Sequence, residues 1–296
     1  MRSSISILAA IGVLFLAFLA PVEARADGVR DLRYDTRIDV AVTAMGGLWW
    51  LTSELLKADL VPEKCRWCSR AEDGADLLNP VDGGVRKRLL WKNTETAARF
   101  SSVLGFFVEP AAMMGLTALS SANDRAIDRF PIDALLITEA TVLAGDVNQL
   151  AKFAFARERP FVHYLPRAPD AIRALTGSPS DDNLSFFSGH TTLAFAVATS
   201  AGTINSLRDY RLAPLVWSAG LTMAVTVAYL RIAADEHYLS DVVTGAFVGS
   251  IVGIGVPLLF HSASSASTSS ASPPTASGQA LAAPAVHSAF SVGGGF

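Results

Sequence analysis

Apolar residues along this chain come in runs of about twenty, and none of the runs alternates with period two. They cover Ile38 to Leu56, Ser101 to Ser121, Pro131 to Phe155, His190 to Leu207, Leu212 to Leu230 and Tyr238 to Phe260. Runs of this length without strand-like alternation predict helices, so the chain reads as all-α with six candidate helices. An earlier apolar run, Ile5 to Ala20, comes after Arg2 and leads into Pro21 and Ala24-Arg25-Ala26. It reads as an export signal with an A-x-A cleavage site, or as an uncleaved signal anchor. On either reading the residues beyond Ala26 are exported.

Between the first two candidate helices lies a polar stretch, Lys57 to Lys92, and after the last one the chain turns rich in Ser, Ala, Pro and Gly. From Ser262 onward no Asp, Glu, Lys or Arg occurs, and a tail of this kind is expected to be disordered. The organisation expected is therefore a signal at 1–26, an exported helix and polar loop at 27–100, a helical core at 101–261 and a tail at 262–296.

Composition narrows the class further. Hydrophobic residues make up 51% of the chain, charged residues only 17%, and the net charge is −3. This suits a membrane-associated protein and gives no support to nucleic-acid binding. The two cysteines, Cys65 and Cys68, sit in the polar stretch and in an exported loop are expected to form a local disulfide. A zinc site would need two further ligands, and Asp73, Asp76 and Asp82 miss the spacing of a calcium loop.

Three polar blocks interrupt the apolar second half. In the first, Lys152 and Arg159 lie seven apart, on one face of a helix that Pro160 is expected to stop. Asp146 and Glu139 extend that face into a polar stripe suited to a bundle interior. Two cations on one face make a phosphate clamp, although a solvated charged face would use the same residues. The second block, Ser188-Gly189-His190, precedes an apolar helix whose first N–H groups form an anion site. Gly189 permits close backbone approach, Ser188 offers a hydroxyl, and His190 could deliver a proton. A plain helix cap with a bystander histidine would look alike. In the third block Arg231 is succeeded by His237 and Asp241. The last two, four apart, are expected on one helical face, with the carboxylate accepting the Nδ1 proton and leaving Nε2 free as a nucleophile.

The three blocks, in this order, resemble the signature of the type 2 phosphatidic acid phosphatase superfamily, which also contains bacterial acid phosphatases and vanadium haloperoxidases. The resemblance spans roughly Phe130 to Phe260 and implies a six-helix bundle of that kind, which the hydropathy of the chain places in a membrane. It implies that His237 attacks phosphorus to give a phosphohistidine, with Asp241 orienting it. His190 would protonate the leaving group and later activate water. Lys152, Arg159, Ser188, Gly189 and Arg231 would bind the phosphate oxygens, with no cofactor or metal required. Two departures stand out: Phe187 replaces the family's usual Pro, and Leu230 its usual Ser.

These readings converge on a membrane phosphatase acting on a phosphomonoester or diphosphate. The substrate expected is a lipid phosphate such as phosphatidic acid, phosphatidylglycerophosphate or a polyprenyl diphosphate. A soluble periplasmic acid phosphatase, a vanadium haloperoxidase and a non-catalytic phospholipid-binding protein are the alternatives. For the site to face the exported side of a bacterial inner membrane, one candidate helix must not span. Ile38 to Leu56, interrupted by polar residues, is the expected exception, lying on the outer surface. Five spans then place Pro160, His190, Arg231 and His237 outside, and Arg208 and Arg211 in a cytoplasmic loop.

Overall fold

A computed structural model describes residues 28–62, 64–71, 75–164 and 181–262. The expected signal at 1–26, Asp73 and the tail beyond Ser262 lie outside the described residues. Seven longer helices occur among them: α1 (Thr36–Leu55), α2 (Pro80–Leu89), α3 (Thr94–Asn123), α4 (Phe130–Phe155), α5 (Gly189–Leu207), α6 (Ala213–Ala233) and α7 (Leu239–Phe260). Local chemistry sets their starts. Asp35 accepts from the N–H groups of Arg37 and Ile38, Asn93 from that of Thr96, and Pro131 and Pro214 occupy first-turn positions where no N–H is needed.

The centre of the bundle is α5, which packs against α3, α4, α6 and α7 and is buried at nearly every position from Thr191 to Asn205. Small residues allow this. Gly245, Gly249 and Gly253 of α7 face Ser188, Thr192 and Ala196, so close that a methyl group on Gly249 would meet the Thr192 carbonyl. Such small-residue seams let helix backbones approach where water supplies no drive to associate. Larger side chains fill the end away from α5's start: Met113, Leu136, Ile137, Val197, Ile204 and Val216 form one cluster. At that end Arg208 and Tyr210 both bond the buried Asp133 carboxylate, each at 2.8 Å. Arg208, just past the end of α5, is therefore a buried structural partner of Asp133.

The outer surface is apolar. Phe107, Phe247, Ile251, Leu259 and Phe260 are exposed, and α3, α6 and α7 are each long and apolar enough to cross a membrane.

The first candidate helix departs from expectation. α1 lies lengthwise and parallel along α4, with Gly46 against Val142 and Asp146, and with Ser53 and Glu54 bonded to Gln149. Its buried residues are Asp39, Gly46 and Ser53, while Ile38, Met45, Leu48, Leu51 and Leu55 are exposed. The polar interruptions thus mark its packed face, and its apolar residues look outward, so α1 does not lie across the surface as an appendage. Its end reaches the candidate site.

Candidate active site

One cavity of about 460 Å³ opens at the end of the bundle where α4 stops and α5 and α7 begin. Lys152, Arg159, Gly189, His190, Arg231 and His237 all line it. Of the residues expected in the site, Ser188 and Asp241 do not line it; both are fully buried behind it.

The first block reaches the cavity by a different route from the one expected. α4 ends at Phe155, and Ala156 caps it in the left-handed region at φ 43°. Arg159 then sits in extended backbone, and Pro160 begins a new short turn of helix instead of stopping the old one. Lys152 and Arg159 therefore belong to two segments, not to one helical face. Arg157, between them, is only 2% exposed and reaches away from the cavity. Its guanidinium bonds Asp241 at 2.5 Å, the Ser240 hydroxyl at 2.7 Å and Asp82 at 3.0 Å, sandwiched between the rings of Trp67 and Tyr238. It stands off the clamp, but it is no bystander.

In the second block the start of α5 points into the cavity. A Cβ on Gly189 would come 2.9 Å from Asn148 Oδ1 and 3.1 Å from Lys152 Nζ, so glycine there is a condition of the lysine's position. The Ser188 hydroxyl accepts a bond from Thr191 at 3.0 Å, which turns it into the helix and away from a ligand. His190 Nε2 lies 3.1 Å from the Ser102 hydroxyl of α3, and its ring packs on Phe106.

The third block holds its histidine differently from the expected pair. His237 Nδ1 lies 2.8 Å from the Ser185 carbonyl and 3.9 Å from Asp241 Oδ2. The helix begins only at Leu239, so the two residues do not share a helical face. A carbonyl can only accept, so Nδ1 carries the proton and Nε2 keeps its lone pair. Asp241 acts one step back. It accepts the Ser185 hydroxyl at 2.6 Å and the Tyr238 N–H at 2.9 Å, fixing both ends of the strip that holds His237. Burial first, then Arg159, Arg231 and Lys152, push the His237 pKa well below its usual 6.5. The ring is neutral at neutral pH.

Counter-ions complete the electrostatics. Glu236 bridges both clamp arginines, pairing with Arg159 Nη1 and, at 3.2 Å, with Arg231 Nη2. Arg231 also donates to Ser101 at 3.1 Å. Lys57 pairs with Glu54 at 2.8 Å and with Asp181 at 3.1 Å. Burial would raise the Asp181 pKa, but Arg159 and Lys57 hold it below the usual range. The sequence reading missed Trp50, Glu54, Lys57, Ser102, Asp181 and Glu236, which line the same cavity. Only Glu236, adjacent to His237, had a positional signal.

Cys65 and Cys68 form a disulfide. Beside it, the Arg66 N–H and the Trp67 carbonyl bond the backbone of Ala156 and Glu158, holding the segment that carries Arg157 and Arg159.

Together these side chains define, among the described residues, an all-helical protein whose cavity gathers Lys57, Lys152, Arg159 and Arg231 with their counter-ions and two histidines. Residues 133–265, from within α4 to just past α7, match the PAP2 superfamily. Among solved structures the chain is similar to the "first transmembrane PAP2 type phosphatidylglycerolphosphate phosphatase from Bacillus subtilis". That similarity is 17% in sequence, with a TM-score of 0.37, over 84% of this chain and 92% of that one. A search of the curated proteins finds no match.

Proposed function

We propose that this protein is a phosphatase that removes phosphate from a lipid phosphomonoester or diphosphate through a phosphohistidine. The observation that carries the reading is the convergence of Lys152, Arg159, Arg231, His190 and His237, from five separate segments, on one cavity. Nε2 of His237 attacks phosphorus as the bond to the leaving oxygen breaks, and His190 gives that oxygen its proton. Water, deprotonated by His190, then displaces His237 and frees phosphate. The three cations hold the equatorial oxygens, where charge must be stabilised throughout. Binding alone would need the cations and no neutral, oriented imidazole.

A lipid suits the surroundings better than a soluble ester. Trp50, Phe106 and Leu193 form apolar walls of the cavity, and the helices beside it carry exposed apolar faces. We place the protein in a bacterial inner membrane with the cavity on the exported side; because α1 runs parallel to α4 within the bundle, this orientation starts α1 at the far, cytoplasmic end, so it replaces the expectation that the residues just beyond Ala26 are exported. In support, Cys65 and Cys68 at the cavity end are joined in a disulfide, a bond that persists in an oxidising, exported compartment. In a background lacking Cys65 and Cys68, Lys92→Cys should label from outside intact cells and Asp128→Cys should not. External labelling of both would favour a soluble periplasmic enzyme.

The central test is phosphate release from lipid and water-soluble esters, with rapid-quench trapping of an acid-labile, base-stable phosphoenzyme. His237→Ala should form none and turn nothing over. Substantial turnover by that variant would overturn the proposal.

A further inference from the structure

Away from the phosphate cavity, three buried side chains from separate parts of the chain meet: Asp39 of α1, Glu139 of α4, and His261 just past α7. Their relative exposures are 5%, 5% and 2%. One ligand atom from each lies within 4.8 Å of the other two. Glu139 and Lys152 are thirteen residues apart on α4, about 20 Å along the axis, so this cluster is separate from the cavity.

Its hydrogen bonds do not close. His261 Nδ1 lies 3.1 Å from the Arg33 carbonyl, which can only accept, so Nδ1 carries a proton. Nε2 lies 3.8 Å from Glu139 Oε1 and offers a lone pair whenever the ring is neutral. Neither Nε2 nor Glu139 Oε2 has a hydrogen-bond partner, although both are buried. Asp39 Oδ2 accepts only the Asp35 N–H, at 3.0 Å. Among the described residues neither carboxylate pairs with a Lys or Arg; the nearby Arg33 guanidinium donates instead to the Leu259 carbonyl. Two buried carboxylates and an imidazole nitrogen therefore face one another with no Lys or Arg between them. Burying uncompensated charge in this way is costly.

We propose that this cluster is a binding site for one divalent transition-metal ion, of the zinc or manganese class. A dication balances the two carboxylates. The imidazole nitrogen favours such an ion over calcium or magnesium, which take oxygen ligands. The Nδ1 bond to a backbone carbonyl is the outer support that a metal-binding histidine ordinarily has, fixing its tautomer and ring plane. Side-chain rotation of about an ångström brings the three atoms to the roughly 2.0–2.2 Å that such an ion requires. The ion ties the start of α1 and the end of α7 to the middle of α4, and its part is structural. It takes no part in the phosphate chemistry, so its test does not depend on that reading.

Full-length protein, purified in detergent without a polyhistidine tag and dialysed against chelator, is titrated with Zn²⁺ and Mn²⁺ by calorimetry. Its melting temperature and the visible spectrum of its Co²⁺ form are also recorded. One equivalent should bind and raise the melting temperature, and Glu139→Gln should weaken binding at least a hundredfold. His261→Cys keeps a ligand and should add a thiolate-to-cobalt charge-transfer band, a signal that a misfolded variant could not give. Wild-type protein that takes up no ion, or an affinity unchanged in both variants, overturns the proposal and leaves the cluster held by a proton on Nε2.

Discussion

Arg157 should be among the most sensitive positions in this protein, although it touches neither the cavity nor any group that reacts. Consider Arg157→Lys, which conserves charge. The guanidinium serves Asp241, Ser240 and Asp82 at once, from between two aromatic rings. An ammonium on a shorter, unforked stem can reach one of the two carboxylates and leaves the other buried without a cation. Losing a bond to a charged group costs about 1.5–3 kcal/mol, and breaking a buried pair outright about 3–5 kcal/mol. The substitution should therefore cost about 3 kcal/mol, lowering the melting temperature by about 6–12 °C for a chain of this size.

Catalysis should fall as well, by a defined route. Asp241 holds the Ser185 hydroxyl and the Tyr238 N–H, and the Ser185 carbonyl holds His237. Slack at Asp241 moves the carbonyl that aims Nε2. Misplacing a reacting atom by about an ångström can cost about a hundredfold, so kcat should drop by about 10–100-fold. KM should change little, because Lys152, Arg159 and Arg231 keep their places. Arg157 is then a positioning residue, and the split between kcat and KM is what a merely structural role would not produce. Steady-state kinetics and thermal unfolding in detergent provide both measurements. A variant within about 0.5 kcal/mol of wild type and within twofold in kcat would refute the reasoning.

Arg159→Lys and Arg231→Lys should each lose about 10²–10³ in kcat/KM, because the fork that meets two phosphate oxygens has no equivalent in an ammonium; near-normal efficiency in either would remove that arginine from the clamp. Gly249→Ala should destabilise by about 1–3 kcal/mol in a thermal melt, since its methyl group meets the Thr192 carbonyl. Gly255→Ala, with nothing within 4 Å of its Cβ, should be neutral or slightly stabilising. His237 has a pKa lowered by folding, so the unfolded chain takes up a proton that the native site refuses. Its contribution to stability is full above about pH 6.5 and is lost below it, by at most about 1.4 kcal/mol per pH unit. His237→Asn should flatten the wild-type fall in melting temperature between pH 7.5 and 5.5, and equal slopes would count against a neutral buried imidazole.

The helices were legible because each needs a run of apolar residues, and the runs end close to where the helices do. His190 to Leu207 became Gly189–Leu207, and Pro131 to Phe155 became Phe130–Phe155. α3 was the exception, starting at Thr94 in place of Ser101. Its first turns, Thr94 to Phe100, are polar enough to hide from an apolar run, and Asn93 caps them. The convergence of Lys152, Arg159, Arg231 and the two histidines on one cavity was legible because three spaced blocks pair cations with histidines in an otherwise apolar stretch. The orientation of His237 was not, because the group that holds it is a backbone carbonyl, which every residue possesses. Ser185 left no chemical trace of that task in the sequence.

α1 shows a second kind of blindness, one that concerns faces and not residue types. Counted along the chain, Asp39, Gly46, Gly47, Thr52 and Glu54 look like reasons for this segment to stay out of a bundle. Placed on the helix, Asp39 and Gly46 are on the buried side, and Glu54 reaches Gln149 and the cavity rim. Polar residues inside and leucines outside are the reverse of a soluble amphipathic helix, and the reversal is stable only if the medium outside is apolar. The same inversion recurs in α7, where glycines line the packed side and Phe247, Ile251 and Leu259 face outward. Two helices at different places in the bundle thus make the same demand on their surroundings. That demand, rather than hydropathy alone, argues for a bilayer around these faces, and under the proposed function it is from there that a lipid substrate would reach the cationic cavity.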